Sequence, residues 1–150
     1  MKLRAATLAD LDVILHHRRE MFREMGGEYQ RQLDRFDNAS RQYFQSALQD
    51  GSYFGLMGEI DNKIVAGGGV VIAQWPGSPL NFNPHRAWIL NLYVEPEYRR
   101  RGLARAITEA LISWCKENGF QSVALHASEY GRSLYKKLGF RPTNEMRLKL

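Results

Sequence analysis

Cysteine is almost absent from this sequence, and long apolar runs are absent altogether. Cys115 is the single cysteine of the 150 residues; it cannot form an internal disulfide, so nothing in the chain requires an oxidising compartment. No apolar run approaches the roughly 18 to 20 residues of a membrane span. The opening "MKLRAATLADLD" lacks the uninterrupted apolar segment of a secretory signal, so we expect a cytoplasmic protein.

The usual metal and nucleotide motifs are also missing. No CxxC or HxxxH pair occurs, and the adjacent His16 and His17 would point about 100° apart on a helix, too divergent to bind one metal ion. There is no GxxxxGK[ST], and no GxGxxG follows a strand. The glycine run 67–69 lies in a strand-like segment, where a bulge or close packing explains it more simply. We expect no metal site.

The positive charge is concentrated in one segment. The net charge is +5, and Arg99, Arg100, Arg101 and Arg105 account for all but one unit of it. A focused charge fits a small anionic ligand better than a surface that follows a nucleic acid or a membrane. We therefore expect neither of these partners.

Apolar periodicity predicts alternating helices and strands without repeats or a linker, as in a single domain over residues 1–150. The predicted helices cover residues 11–25, 38–49, 103–117 and 131–137. The predicted strands cover residues 2–6, a hairpin at 52–60 and 63–73, then 87–94, 121–127 and a terminal strand with Met146, Leu148 and Leu150. A long loop at 74–85 precedes the apolar strand 87–94, and the strand, helix, strand order over 87–127 predicts a parallel pair.

The stretch "YRRRGLARAI" lies between that buried strand and an amphipathic helix. The first turn of a helix has N–H groups without intrahelical partners, and the helix dipole adds about half a positive charge there. Gly102 can adopt backbone angles closed to other residues and leaves room for a phosphate. The alternative is that Gly102 only turns the chain and that the arginines form a solvated basic face.

Two motifs carry a resemblance to a known family. The pattern Arg99-x-x-Gly102-x-Ala104 resembles the [Q/R]xxGx[G/A] signature of GNAT-type N-acetyltransferases, and "SLYKKLGF" (133–140) resembles their LYxxxGF segment. The order of elements is similar along essentially the whole chain. The resemblance implies an α/β (α+β) fold, with a mixed, mostly antiparallel central sheet that has a parallel splayed strand pair and helices on its sides.

The resemblance also implies a ligand and its site. Acetyl coenzyme A would donate an acetyl group to the amine of a small molecule, peptide or protein. Its pyrophosphate would lie at the helix start, and main-chain groups of the bulged strand would bind the pantetheine arm. The implied cofactor-binding residues are Leu92, Tyr93, Val94, Arg99, Arg100, Arg101, Gly102, Leu103, Ala104, Arg105, Ser128 and Tyr135.

Tyr135 is the implied catalytic residue, as the acid that protonates the leaving sulfur; the alternative is a tyrosine that packs the short helix on the sheet. Ser128 stands where many members have an asparagine. No acid occurs in residues 86–94, where some relatives have a glutamate base. His126, Glu59, Glu95 and a water chain therefore stay open as bases.

The resemblance places the acceptor near residues 16–37 and 74–85. That region holds Glu20, Glu24 and Glu28, which favour a cationic amine, and Arg18, Arg19, Arg23, Arg31 and Arg35, which favour an acid. The acceptor and the choice between monomer and homodimer stay open. The missing strand glutamate leaves one alternative function, a non-catalytic module of this fold that binds coenzyme A or another anion.

Overall fold

The computed structural model describes residues 1–150. Its strands are β1 (Lys2–Ala5), β2 (Tyr53–Ile60), β3 (Lys63–Gln74), β4 (His85–Val94) and β5 (Val123–Leu125). Its α-helices are α1 (Leu11–Met25), α2 (Leu33–Asp50), α3 (Leu103–Glu117) and α4 (Arg132–Lys137). Single 3-10 turns occur at Leu8–Asp10, Gln30–Gln32 and Pro96–Tyr98. None of the helices combines the length and the apolar character needed to cross a membrane.

The strands form one sheet in chain order, from β1 at one edge to β5 at the other. Every neighbouring pair is antiparallel except β4 and β5, which are parallel. The β2–β3 hairpin turns at Asp61 and Asn62, whose φ angles are 50° and 61°. Two left-handed residues are what a tight hairpin turn requires. The predicted hairpin and the predicted mixed sheet with one parallel pair are confirmed.

The ladder between β3 and β4 is broken by a bulge. Tyr93 pairs with Gly67 and Leu90 pairs with Gly69, so two residues of β4, Asn91 and Leu92, stand opposite one residue of β3. Asn91 has a φ of 58°, a left-handed conformation that asparagine adopts more readily than most residues. The bulge bends β4 at this point.

Strands β4 and β5 pair over only a short length. Their register runs from Ala87 opposite Val123 to Ile89 opposite Leu125. Beyond Ile89, β4 continues for five residues to Val94 without β5 beside it. The two strands therefore separate and open a cleft, which confirms the predicted splayed pair.

The glycine run of β3 allows side chains on both faces to approach the backbone. A Cβ on Gly67 would lie 3.0 Å from His17 Nδ1, and a Cβ on Gly68 would lie 3.2 Å from Ile107 Cγ2. A Cβ on Gly69 would overlap the ring of Tyr53. The run is thus explained by close packing opposite the bulge, as the sequence indicated.

Helices cover both faces of the sheet. Helices α1 and α2 pack on one face through a cluster centred on Ile14 and Phe44. Helix α3 packs on the other through Ile107 and Leu111, both fully buried, and Cys115 belongs to the same apolar stripe. Each helix buries one apolar stripe, as amphipathic periodicity predicts.

Two predicted boundaries and one predicted strand are wrong. Helix α2 begins at Leu33 and not at residue 38, because Leu33 and Phe36 extend its apolar stripe by a turn towards the N-terminus. Strand β5 is shorter than 121–127. Residues 141–150 form no strand, and Met146, Leu148 and Leu150 are exposed. Alternation alone does not form a strand, since its N–H and C=O groups need a neighbouring strand.

Candidate functional site

A cavity of about 750 Å³ lies where β4 separates from β5. One wall is the end of β4 with the start of α3, and the opposite wall is the segment 128–135 that leads into α4. The C-terminal half of α1 closes a third side with Met21, Glu24 and Met25. The site therefore lies at the carboxyl end of a parallel strand pair, where ligands gather in open α/β sheets.

The start of α3 presents free backbone donors to this cavity. Gly102 is the N-cap residue with a φ of 79°, and no side chain caps the helix. The first intrahelical bond runs from the Ala106 N–H to the Gly102 oxygen at 3.0 Å, so the N–H groups of residues 103–105 have no partner within the helix. A Cβ on Gly102 would meet nothing within 4 Å. The helix start is open and suits an anion.

The four clustered arginines differ in their contacts. Arg99 donates from Nε to the Val94 oxygen at 2.8 Å and from Nη2 to Glu24 at 2.6 Å, so it ties the turn to both β4 and α1. Arg105 pairs with Glu109 one helical turn later. Two of the four positive charges are therefore compensated, which weakens the case for a basic patch.

Arg101 does not line the cavity. Its guanidinium lies over the Tyr98 ring, 5.3 Å from the ring centre, and it is absent from the cavity lining. Arg100 does line the cavity and has a left-handed φ of 61°. All the other residues that the sequence predicted for the cofactor also line the cavity.

Several lining residues were missed by the sequence analysis. They are Met21, Met25, Tyr98, Tyr130, Gly131 and Leu134, while Glu24, which the sequence placed in the acceptor region, also lines the cavity. Met21 and Met25 are four residues apart and so share one face of α1, a pattern visible in the sequence. Which face of α1 meets β4 depends on tertiary packing, so the pattern alone did not assign them to the site.

Tyr135 reaches the cavity from α4. A Cβ on Gly131 would lie 2.8 Å from Tyr135 Cε2, so this glycine makes room for the ring, which packs edge-on against Phe140. Burial raises the pKa of Tyr135 above its ordinary value of 10.0. The phenol therefore keeps its proton at neutral pH and can act as a proton donor.

Ser128 stands at the start of the same segment. Its hydroxyl accepts a hydrogen bond from the Gly131 N–H at 3.2 Å, and its side chain also lines the cavity. The serine thus helps to fix the conformation of residues 128–131, which precede α4 and its Tyr135.

The three candidate bases lie in different places, and none of them lines the cavity. Glu59 accepts a hydrogen bond from Arg4 at 2.6 Å on the β1–β2 side of the sheet. His126 is exposed and contacts Glu145 at 2.9 Å. Glu95 directly follows β4, and its Oε1 lies 3.1 Å from His16 Nε2. Of the three, Glu95 is nearest along the chain to the cavity wall.

His17 is a buried histidine of this region that the sequence analysis did not assign to any function. It is 1% exposed, its ring lies 5.1 Å from that of Tyr93, and its Nε2 has no hydrogen-bond partner. Glu95 Oε1 is 3.6 Å away, too far for a hydrogen bond. Burial dominates and lowers the pKa of His17 to about 4, so the ring is neutral at pH 7.

Of the two acceptor regions proposed from the sequence, only one contributes residues to the cavity. Residues 75–84 join β3 to the first residue of β4, at the far end of that strand from the cavity, and none of them lines it. The C-terminal half of α1 does line it. No three His, Cys, Asp or Glu side chains lie together in an arrangement that would hold a metal ion.

The chain belongs to the acetyltransferase (GNAT) family, whose sequence model matches residues 11–140. A GCN5-related N-acetyltransferase from Ralstonia eutropha JMP134 has a similar structure, with a TM-score of 0.93 and 35% identity, over 99% of this chain and 97% of that one. A predicted acetyltransferase from Clostridium acetobutylicum, in a crystal structure with acetyl-CoA, has a TM-score of 0.86 and 26% identity, over 99% and 94% of the two chains.

A human protein is similar over a shorter segment. N-acetyltransferase 8 of Homo sapiens is 26% identical over 90 residues, which make up 58% of this chain and 38% of the human protein. The match thus spans well under half of that relative.

His17 gives the fold a defined pH dependence. The unfolded chain binds a proton at this histidine below its ordinary pKa of 6.5, while the folded chain does so only below about 4. The free energy of unfolding therefore does not change with pH through this histidine above pH 6.5. As the pH falls from 6.5 towards 4, it decreases by about 1.4 kcal/mol per pH unit. Urea unfolding at pH values between 4 and 7 measures it.

His17→Gln should remove this part of the dependence of the free energy of unfolding on pH. His16→Gln should keep most of it, because burial is a larger cause of the lowered His17 pKa than the charge of His16. If the free energy of unfolding changed equally with pH in the wild type and both variants, His17 would have an ordinary pKa.

Proposed function

We propose that this chain transfers an acetyl group from acetyl coenzyme A to an amine. The observation that carries the proposal is the meeting of two features in one cavity: the uncapped start of α3 and the end of β4, whose edge facing β5 has no partner strand. The first offers N–H donors for a pyrophosphate. The second offers main-chain groups for an extended arm that carries amides, in the manner of an added strand.

The residues present fit this ligand. The amides of residues 103–105 would bind the pyrophosphate, and Gly102 leaves the space for it. Arg99 would act indirectly, because its bonds to Val94 and Glu24 order the turn. The main chain of Leu92, Tyr93 and Val94 would bind the pantetheine arm. Arg100 and Arg105 would add charge at the rim of the cavity.

Acetyl coenzyme A, when bound, would supply an acetyl group activated as a thioester. Tyr135 would hold a proton for the departing sulfur, and its raised pKa keeps that proton in place until it is needed. A positioned acid of this kind typically contributes about 10² to 10⁴ in rate. Of the three candidate bases, Glu95 is nearest along the chain to the cavity wall, and it would take the proton that the amine must lose, either directly or through water.

A non-catalytic module of the same fold is the second candidate, and the absence of an acidic side chain within β4 favours it. Thiol release from acetyl coenzyme A in the presence of amines and amino acids distinguishes the two. Turnover with an acceptor supports the transferase. Calorimetric binding of the cofactor without turnover on any acceptor would support the module. No binding of the cofactor would contradict both the transferase and a module that binds coenzyme A.

Gly102 should matter more for cofactor binding than Arg101. A valine at position 102 would be strained at a φ of 79°, a cost of about 1–3 kcal/mol that distorts the turn. We expect Gly102→Val to weaken acetyl coenzyme A binding at least about fivefold. Arg101→Gln should change it less, since surface charges contribute at most about 1 kcal/mol.

Calorimetry measures both dissociation constants, and circular dichroism checks that both variants are folded. A larger effect from Arg101→Gln would identify the stretch as a basic patch.

Tyr135→Phe removes one hydroxyl from the cavity and leaves the ring that packs against Phe140. If the phenol protonates the leaving sulfur, kcat should fall by about 10² to 10⁴ while the affinity for the cofactor stays within a few fold. Thiol release under saturating donor gives kcat. Tyr43→Phe, on the exposed side of α2, is the matched control. An unchanged kcat for Tyr135→Phe would refute the acid role.

A further inference from the structure

Arg18 differs from the other two arginines of α1 in having no carboxylate partner. Arg19 pairs with Asp34 at 3.1 Å and with Asp37, and Arg23 pairs with Glu20. Arg18 instead donates from Nη1 to Asn91 Oδ1 at 2.6 Å and from Nε to Ser40 Oγ at 3.3 Å. Both acceptors are neutral, and Nη2 makes no hydrogen bond.

The guanidinium of Arg18 is also largely shielded from water. It lies over three phenylalanine rings, at 4.8 Å from the centre of Phe36, 5.2 Å from Phe22 and 5.4 Å from Phe44. Burial lowers its pKa, yet an arginine stays charged at any physiological pH. Shielded charges in proteins are normally paired with an opposite charge. This one lacks its counter-charge.

Asn91 provides a second unused donor beside it. The residue is 4% exposed, and its Nδ2 has no hydrogen-bond partner. The Tyr53 phenol lies next to this amide; burial raises the pKa of Tyr53 to about 12, although the Asn91 amide acts in the opposite direction. The phenol therefore keeps its proton. Three donors from α1, β4 and β2 meet in one place.

None of these three residues lines the cavity, but Asn91 and Arg18 lie close along the chain to residues that do. Asn91 is directly followed by Leu92, and Arg18 is followed one helical turn later by Met21; both of these residues line the cavity. The unpaired positive charge thus lies on the α1 side of β4, next to the strand segment proposed to hold the pantetheine arm.

We propose that Arg18, Asn91 and Tyr53 bind the carboxylate of the acceptor, so that the acceptor is a small amine that also carries a carboxylate, such as a free amino acid. The inference rests on the proposed acetyl transfer. A planar guanidinium that supplies one positive charge matches the single negative charge of a carboxylate. A phosphate dianion would require a second cation, and no other lysine or arginine contacts this cluster.

The test compares amino acids with the same compounds as carboxamides. The twenty common L-amino acids and their amides are offered as acceptors with acetyl coenzyme A, and kcat/KM is measured by thiol release. We expect kcat/KM for at least one acid to exceed that for its amide by about 10- to 100-fold, because that is the effect of losing one charge-assisted hydrogen bond. Arg18→Gln should remove this preference. Amides that match or exceed every acid would overturn the proposal.

Asn91→Asp separates binding from folding. It would give Arg18 an internal counter-charge, so the fold should be at least as stable in urea while the preference for acids is lost. If the preference survived in this variant, Arg18 would have only a structural role. Arg41→Gln alters an exposed arginine of α2 that pairs with Asp12 of α1. It is the matched control and should keep the preference.

A binding measurement makes the result independent of turnover. The Nε–H signal of Arg18 in a proton–nitrogen NMR spectrum is assigned by its loss in Arg18→Lys, and the same acids and amides are titrated with and without coenzyme A. Acids that shift the signal while amides do not support the carboxylate site, and a signal that no acid moves overturns it. Failure to bind acetyl coenzyme A would refute the proposed function separately.

Discussion

The break in the β4 ladder at Asn91 is the constraint on which the rest of the site depends. A regular strand would stay paired with β3 throughout and would continue beside β5. The left-handed Asn91 instead places two residues opposite Gly68, and β4 leaves β5 after Ile89. One local irregularity therefore accompanies the opening of the cleft, leaves the edge of Leu92 to Val94 that faces β5 without a partner strand, and turns the Asn91 side chain towards α1.

The charges of the site are arranged around this break in two different ways. On the α3 side, backbone amides provide the donors, and Arg99 is occupied in binding Val94 and Glu24. On the α1 side, Arg18 is shielded and has no carboxylate. A compensated arginine orders a turn, while an uncompensated one is available to a ligand. The run of arginines before α3 therefore says less about ligand binding than Arg18 does, although nothing in the sequence distinguishes Arg18 from its neighbours.

What could be predicted from the sequence was whatever depends on neighbours along the chain. Turn chemistry identified the hairpin, and contiguous signatures identified the start of α3 and Tyr135. The terminal strand at 141–150 was predicted wrongly because a strand depends on a partner that periodicity cannot show. Arg18 was only one of several charged residues in the predicted acceptor region, since its significance depends on Asn91, 73 positions away.

The central claim is that backbone amides at the start of α3, and not arginine side chains, hold the diphosphate of the cofactor. A crystal structure of the chain with acetyl coenzyme A tests it most directly. We expect pyrophosphate oxygens within about 2.7–3.2 Å of the N–H groups of residues 103–105, with the pantetheine arm along Leu92 to Val94. A diphosphate bound by arginine side chains alone, with those amides unoccupied, would contradict the account.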